Sequence, residues 1–177
     1  MNLFLSKFKN KIDVKGRVSI PVSFRNILLK DVSQKMFCYP SLDAQAIDAG
    51  GQGLSKEIYA LMDNLDPYSD ERDYLSTALF GLSEELKIDN DGRVILSDAL
   101  IDHAQIKDEV TFVGLGEKFQ IWEPLKFESY LQQAQKKVKE QILLILVQLM
   151  ELGDLFMDFM KKLQWVIQQH MVFLKVV

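Results

Sequence analysis

The sequence is poor in the side chains that carry most metal and nucleophilic chemistry. Its 177 residues include one cysteine, Cys38, and two histidines, His103 and His170. A single cysteine excludes an intrachain disulfide and fits a reducing compartment. The histidines stand far apart and in no H-E-x-x-H pair, and Cys38 has no CxxC partner, so no metal site is expected. Neither a G-x-S-x-G elbow nor a G-x-x-x-x-G-K-[ST] loop is present. The glycines at 50, 51 and 53, and at 114 and 116, lack the dinucleotide spacing and read as turns. No carboxylate pair stands out as an acid–base couple. An enzyme is therefore not expected, nor a cofactor or a small-molecule substrate. Long apolar runs are missing too. The longest in the tail, Ile142 to Val147, is far short of the roughly 20 residues that span a bilayer. The leading residues alternate apolar and polar without a continuous apolar core, so no signal peptide is read and a cytoplasmic protein is expected.

What is present is a motif that occurs twice. Lys11 to Arg25 reads K-I-D-V-K-G-R-V-S-I-P-V-S-F-R, and Lys87 to Ser97 reads K-I-D-N-D-G-R-V-I-L-S. Asp13, Gly16, Arg17 and Val18 map onto Asp89, Gly92, Arg93 and Val94 at one offset of 76 residues. A chain that restarts in this way is a tandem of similar units. Each unit reads strand, turn, strand, short helix, two strands, longer helix.

In the first unit, residues 3 to 12 alternate as a half-buried strand. Leu3, Leu5, Phe8 and Ile12 are expected inward, and Lys7, Lys9 and Lys11 share one face. A turn at Asp13 to Gly16 leads to a strand from Arg17 to Ile20. Pro21 then sits in the first turn of a helix from Val22 to Leu29. Strands at 36–39 and 45–48 and a loop at 49–53 precede a helix from Leu54 to Leu65. Asp66 and Pro67 read as the N-cap and first-turn proline of the next helix, closed near Gly81.

In the second unit, strands at 85–88 and 93–96 flank the turn Asp89 to Gly92, and Ser97 caps a helix to Ala104. A hairpin joins 110–113 to 119–122, and Pro124 opens a helix through Lys139. The tail, Gln141 to Val177, holds four of the seven methionines and reads as an amphipathic helical extension packing on its own chain or on another subunit. The resulting division is 3–53, 54–82, 83–126 and 127–177.

The copies differ in charge. The protein carries a net −4, but residues 1 to 30 hold seven cations against Asp13 alone, a net of +6. The remainder therefore carries −10. A basic patch on an acidic protein suits a phosphate-binding face, and also a strand edge guarded against aggregation. Lys7, Lys9, Lys11, Lys15, Arg17 and Arg25 are the candidate DNA contacts. Around the second motif Asp89, Asp91, Asp98 and Asp102 outnumber Lys87 and Arg93, which would repel a polyanion. Asp13, Gly16, Asp89, Gly92 and Arg93 are read as structural, each aspartate capping its turn and pairing with its arginine.

These motifs, with L-D-P-Y-S-D-E-R-D between them and V-T-F-V-G-L-G-E-K-F-Q-I-W after the second, resemble the bacterial MraZ family over about residues 3 to 140. The resemblance implies an α+β fold. Two tandem swapped-hairpin units of the AbrB kind build β-barrel halves with flanking helices, here followed by the C-terminal helical extension. It implies a transcriptional regulator, a repressor of the division and cell-wall gene cluster. Such a protein is nucleoid-associated and acts as a ring-like homo-oligomer on repeated sites in double-stranded promoter DNA. The first motif matches at Asp13 and Arg17 and the second at Asp89 and Arg93, with Lys11, Lys15 and Arg17 as leading contacts. The acidic residue at 91 departs from the pattern, and the tail beyond about 140 has no counterpart in it. The alternative is a protein-interaction scaffold or antitoxin-like partner of the same fold class.

Overall fold

The computed structural model describes residues 3–173. Residues 1–129 form one compact unit and residues 130–177 a second. In chain order the first holds β1 (Lys7–Lys11), β2 (Arg17–Ser19), α1 (Val22–Leu28), β3 (Lys35–Pro40), β4 (Ala46–Gly50), α2 (Gln52–Asp63) and α3 (Asp70–Leu79). Then follow β5 (Glu84–Lys87), β6 (Arg93–Ile95), α4 (Asp98–Ala104), β7 (Glu109–Gly114), β8 (Phe119–Trp122) and the start of α5 (Pro124–Phe173). The fold is α+β, and its sheets are antiparallel.

The two repeats do not stand side by side. The larger sheet has the order β1-β7-β8-β4-β3-β5. Each repeat's leading strand therefore pairs with the other repeat's third strand: β1 lies on β7, and β5 on β3. At the centre β4 meets β8. The remaining strands, β2 and β6, form a separate two-stranded ribbon in which Val18 faces Val94. Those two valines are equivalent at the 76-residue offset, so a pseudo-two-fold axis passes between them.

Backbone hydrogen bonds obey the same symmetry. Ile20 N donates to Gly92 O, and Leu96 N donates to Gly16 O, at 3.0 and 2.9 Å. Neither repeat can satisfy its ribbon strand's backbone alone, which ties the two into one unit.

The core sits on this axis. Phe24 is fully buried and packs its ring against Phe4, Phe8 and Phe119 at centroid distances of 5.2, 5.4 and 5.0 Å. Its equivalent, Leu100, is buried in the same cluster beside Val18, Val94, Ile20 and Leu96. Burying a side chain of this size contributes about 1.5–3 kcal/mol.

Three local expectations need correction. Phe4, not Leu3 or Leu5, is the buried residue at the start of the chain; Leu5 is 60% exposed. Phe4, Phe8 and Ile12 share one parity, which alternation sets as inward. Ser6, at a positive φ of 74°, breaks the backbone just before β1. Pro21 is the N-cap of α1 rather than inside its first turn. Ser69, not Asp66, caps α3, its Oγ accepting from Arg72 N. Asp66 instead caps the preceding turn through Tyr68 N.

In the second unit α5 runs well past the expected stop at Lys139, reaching Phe173. Residues 174–177 of the apolar tail lie outside the described residues. Among the described residues, no helix is long and apolar enough to cross a membrane.

Candidate nucleic-acid interface

Each turn of the repeated motif is built by an aspartate. Asp13 Oδ1 accepts from Lys15 N at 2.9 Å and from Arg17 N at 3.0 Å. Asp89 Oδ1 does the same for Asp91 N and Arg93 N, at 2.9 and 2.8 Å. The glycine closing each turn, Gly16 or Gly92, takes a φ of +74° or +75°, a region that costs an L side chain about 1–2 kcal/mol.

The arginines then diverge. Arg17 Nε donates to Asp13 Oδ2 at 2.7 Å, whereas Arg93 pairs with Asp91 at 3.0 Å. The expected aspartate–arginine pair within the motif thus forms in the first copy and not in the second. Position 91, the acidic departure, takes the Arg93 guanidinium and leaves Asp89 to the backbone alone.

The ribbon alternates, so Val18 and Val94 point into the core while Arg17, Ser19, Arg93 and Ile95 lie on its outer face. Arg17 stands across from Ile95, and Ser19 across from Arg93. The two arginines therefore belong to one exposed face, with the two turns at its opposite ends. Sequence alone presents the motifs as separate sites. The signal that joins them is long-range pairing of two three-residue strands, which no local pattern carries.

The six candidate cations are not equivalent. Lys7 pairs with Glu128 at 2.8 Å, and Lys9 with Glu109 at 2.6 Å across β1 and β7. Lys9 holds Glu109 below its ordinary carboxylate range, with a smaller contribution from Lys11. Arg25 reaches across the axis and donates to Asp91 O at 3.2 Å, lying over Gly92 so closely that a Cβ there would meet its guanidinium. The equivalent packing at Gly16 is against the Leu96 carbonyl and Ile101, the counterpart of Arg25. Arg25 thus braces the second turn. The side-chain ammoniums of Lys11 and Lys15 and the terminal nitrogens of Arg17 make no hydrogen bond or ion pair among the described residues. Lys7, Lys9 and Lys11 do share the exposed face of β1, as their spacing predicts.

Outside this region the polar clusters are structural. Asp48, buried in β4, is held by Lys118 at 2.7 Å and Gln120 at 2.6 Å. Burial, with Asp48 nearby, pushes the Tyr39 hydroxyl well above its ordinary range. His103 Nε2 lies 3.2 Å from Ala44 O and serves packing. Burial also pushes the Cys38 thiol up to about 12, so it is inert. Among the described residues, no group of three or more potential ligands could hold a metal.

Comparison with known proteins decides the family. Residues 79–143 match the family model described as "MraZ protein, putative antitoxin-like". Over 140 residues the chain is 52% identical to the transcriptional regulator MraZ of Beijerinckia indica, covering 79% of this chain and 85% of that protein. The namesake from Rickettsia bellii is 45% identical over 142 residues, 80% of this chain and 95% of its own length. The one from Pelagibacter ubique is 44% identical over 135 residues, 76% of this chain and 87% of its own. The chain belongs to the MraZ family.

The first turn's electrostatics give a pH prediction. Hydrogen bonds from the Arg17 backbone and side chain, then from Lys15 N, lower the Asp13 carboxyl from 3.8 to about 2. A depressed carboxylate stabilises the fold above its unfolded pKa, and that contribution fades as pH falls from about 4 through about 2. Carboxyl-carbon NMR titration should therefore find Asp13 near 2. In Asp13→Asn, thermal stability should depend less on pH between 4 and 2. A midpoint near 4 would show that the turn does not hold the charge.

Proposed function

We propose that this MraZ-family chain is a transcriptional regulator that binds double-stranded DNA through the first turn and the outer face of the β2–β6 ribbon. The observation that carries the reading is the set of open cationic groups, the Lys11 and Lys15 ammoniums and the terminal nitrogens of Arg17, gathered at one end of an exposed two-stranded ribbon. A ribbon of this width fits a B-DNA major groove. Asp13 holds Arg17 by Nε, which orients the guanidinium while sparing its terminal nitrogens for a phosphate or a guanine edge. The second turn contributes shape: its Arg93 is neutralised by Asp91. Lys7 and Lys9, already paired, add long-range attraction more than direct contact. The relatives' name, transcriptional regulator, supports this class, which is not an enzyme class.

The exchange of leading strands between repeats supports a swapped-hairpin architecture of the AbrB kind. One such patch offers few phosphate contacts, so binding by a single chain is weak and steeply salt-dependent. Ring-like homo-oligomers on repeated promoter sites would raise affinity through effective concentration. The target in this reading is the promoter of the division and cell-wall gene cluster, with repression as the outcome, in the cytoplasm at the nucleoid.

Footprinting the region upstream of the protein's own gene tests this directly. Protection of regularly spaced short repeats is expected, fading as salt is raised. Sequence-independent protection, or none at low salt, would overturn it.

A further inference from the structure

The tail repeats at a period that the two-fold repeat does not explain. Ile142, Leu149, Phe156 and Leu163 recur every seven residues, and so do Ile145, Leu152, Phe159 and Val166. Taken as a and d, they make an unbroken apolar seam from 142 to 166 on one continuous helix, α5. Opposite the seam, at f, stand Glu140, Val147, Asp154, Lys161 and Gln168, polar at all but one. A strict seven-residue repeat is the pattern of a left-handed coiled coil, because a helix turning at 3.6 residues must supercoil to keep such a stripe against a partner.

The described seam residues are open to solvent. Ile142, Ile145, Leu149, Leu152, Phe156 and Phe159 are each 53–64% exposed. We propose that residues 142–166 zip against the same segment of a second copy of this chain, forming a coiled coil. Three observations favour a second copy. First, the seam is self-complementary by repetition and needs no other sequence. Second, Lys139 and Lys162 are the only charged residues at the flanking e and g positions from 139 to 162, the others being Gln141, Leu146, Gln148, Gly153, Leu155 and Met160, so no run of like charge opposes pairing. Third, the six described seam side chains of each copy are all more than half exposed, and burying twelve of them in a pair at roughly 85 Å² each removes roughly 1,000 Å² from water, which is the scale of a specific interface. A lipid surface is the poorer fit. Between 140 and 168 four carboxylates face two lysines, a net of −2 where anionic headgroups select a basic face.

The test is sedimentation equilibrium on the full chain. A double substitution in the seam, Leu149→Lys with Leu152→Lys, is compared with Val147→Lys at f. Both changes fall on exposed positions outside the first compact unit, so its fold should survive in each. The seam variant is expected to lose at least half of the parent's mass, and the f variant to keep it. A milder pair, Leu149→Ala with Leu152→Ala, should weaken association in the same direction without adding charge. Equal mass for parent and seam variants would overturn the proposal, as would equal loss at the seam and at f. A parent that gains mass only on vesicles or on a different protein would also overturn it. The proposal stands apart from the DNA reading, since the seam lies outside the residues proposed at DNA.

Discussion

Replacing Lys15 and Arg17 together with alanine should lower affinity for a duplex carrying the promoter repeats by about 100-fold or more at constant salt. Losing a phosphate-bound lysine and an arginine that reads a base edge costs roughly 1–3 kcal/mol each, and every 1.4 kcal/mol is about tenfold. The slope of log affinity against log salt should also become shallower, by about 0.9 for each phosphate that the protein no longer neutralises. Arg93→Ala is the internal comparison. Its guanidinium is exposed and paired to Asp91, so its removal should weaken binding less than about tenfold and hardly change stability, as for most surface ion pairs. This differs from what the sequence implies, which is an Arg93 that pairs with Asp89 and matters for folding. Isotherms at several salt concentrations, with thermal melts of each variant, check both halves. A larger loss from Arg93→Ala than from the Lys15 and Arg17 pair would reverse the assignment of the two turns.

The second large effect concerns the turn glycines, equivalent by sequence and unequal by packing. A Cβ on Gly16 would sit 2.5 Å from the Leu96 carbonyl oxygen, which is backbone and accepts no easy shift. The Leu96 amide is itself hydrogen-bonded to Gly16 O, so relieving the clash strains the joint between the repeats. Gly16→Ala should cost roughly 2–5 kcal/mol, the positive φ supplying about 1–2 and overpacking the rest. A Cβ on Gly92 meets the end of the Arg25 side chain, which can swing away. Gly92→Ala should therefore cost mainly its backbone term, about 1–2 kcal/mol, plus the loss of the Arg25 bond to Asp91 O. Urea melts of the two variants should rank Gly16→Ala as clearly the less stable. Equal losses would mean that the two joints are not built as described.

Much of this was legible in the sequence, and the limits have physical causes. The aspartate, glycine and arginine at fixed spacing announced the turns because turn chemistry is local: a carboxylate two to four residues from the amides it caps. The 76-residue offset announced the duplication. Neither could show that β1 lies on β7 or that β2 lies on β6, since pairing between strands this far apart along the chain leaves no mark in a short window. The charge count found the basic segment. It could not show that Glu109 and Glu128 come from far along the chain to neutralise Lys9 and Lys7. Arg25 looked like part of the patch because it follows it closely; the fold turns it toward Gly92 instead. The misread parity at Leu3 and Leu5 has a similar origin, as the alternation could be entered on either face until Phe4 met the aromatic core.

The central claim is that the first turn touches DNA while the second holds the ribbon's shape. Ultraviolet cross-linking of the full chain to a repeat-bearing duplex, with the adducts located by mass spectrometry, tests that most directly. Adducts within residues 11–19, and none within 87–92, are the predicted outcome. Adducts concentrated at the second turn, or on a surface away from the ribbon altogether, would contradict it.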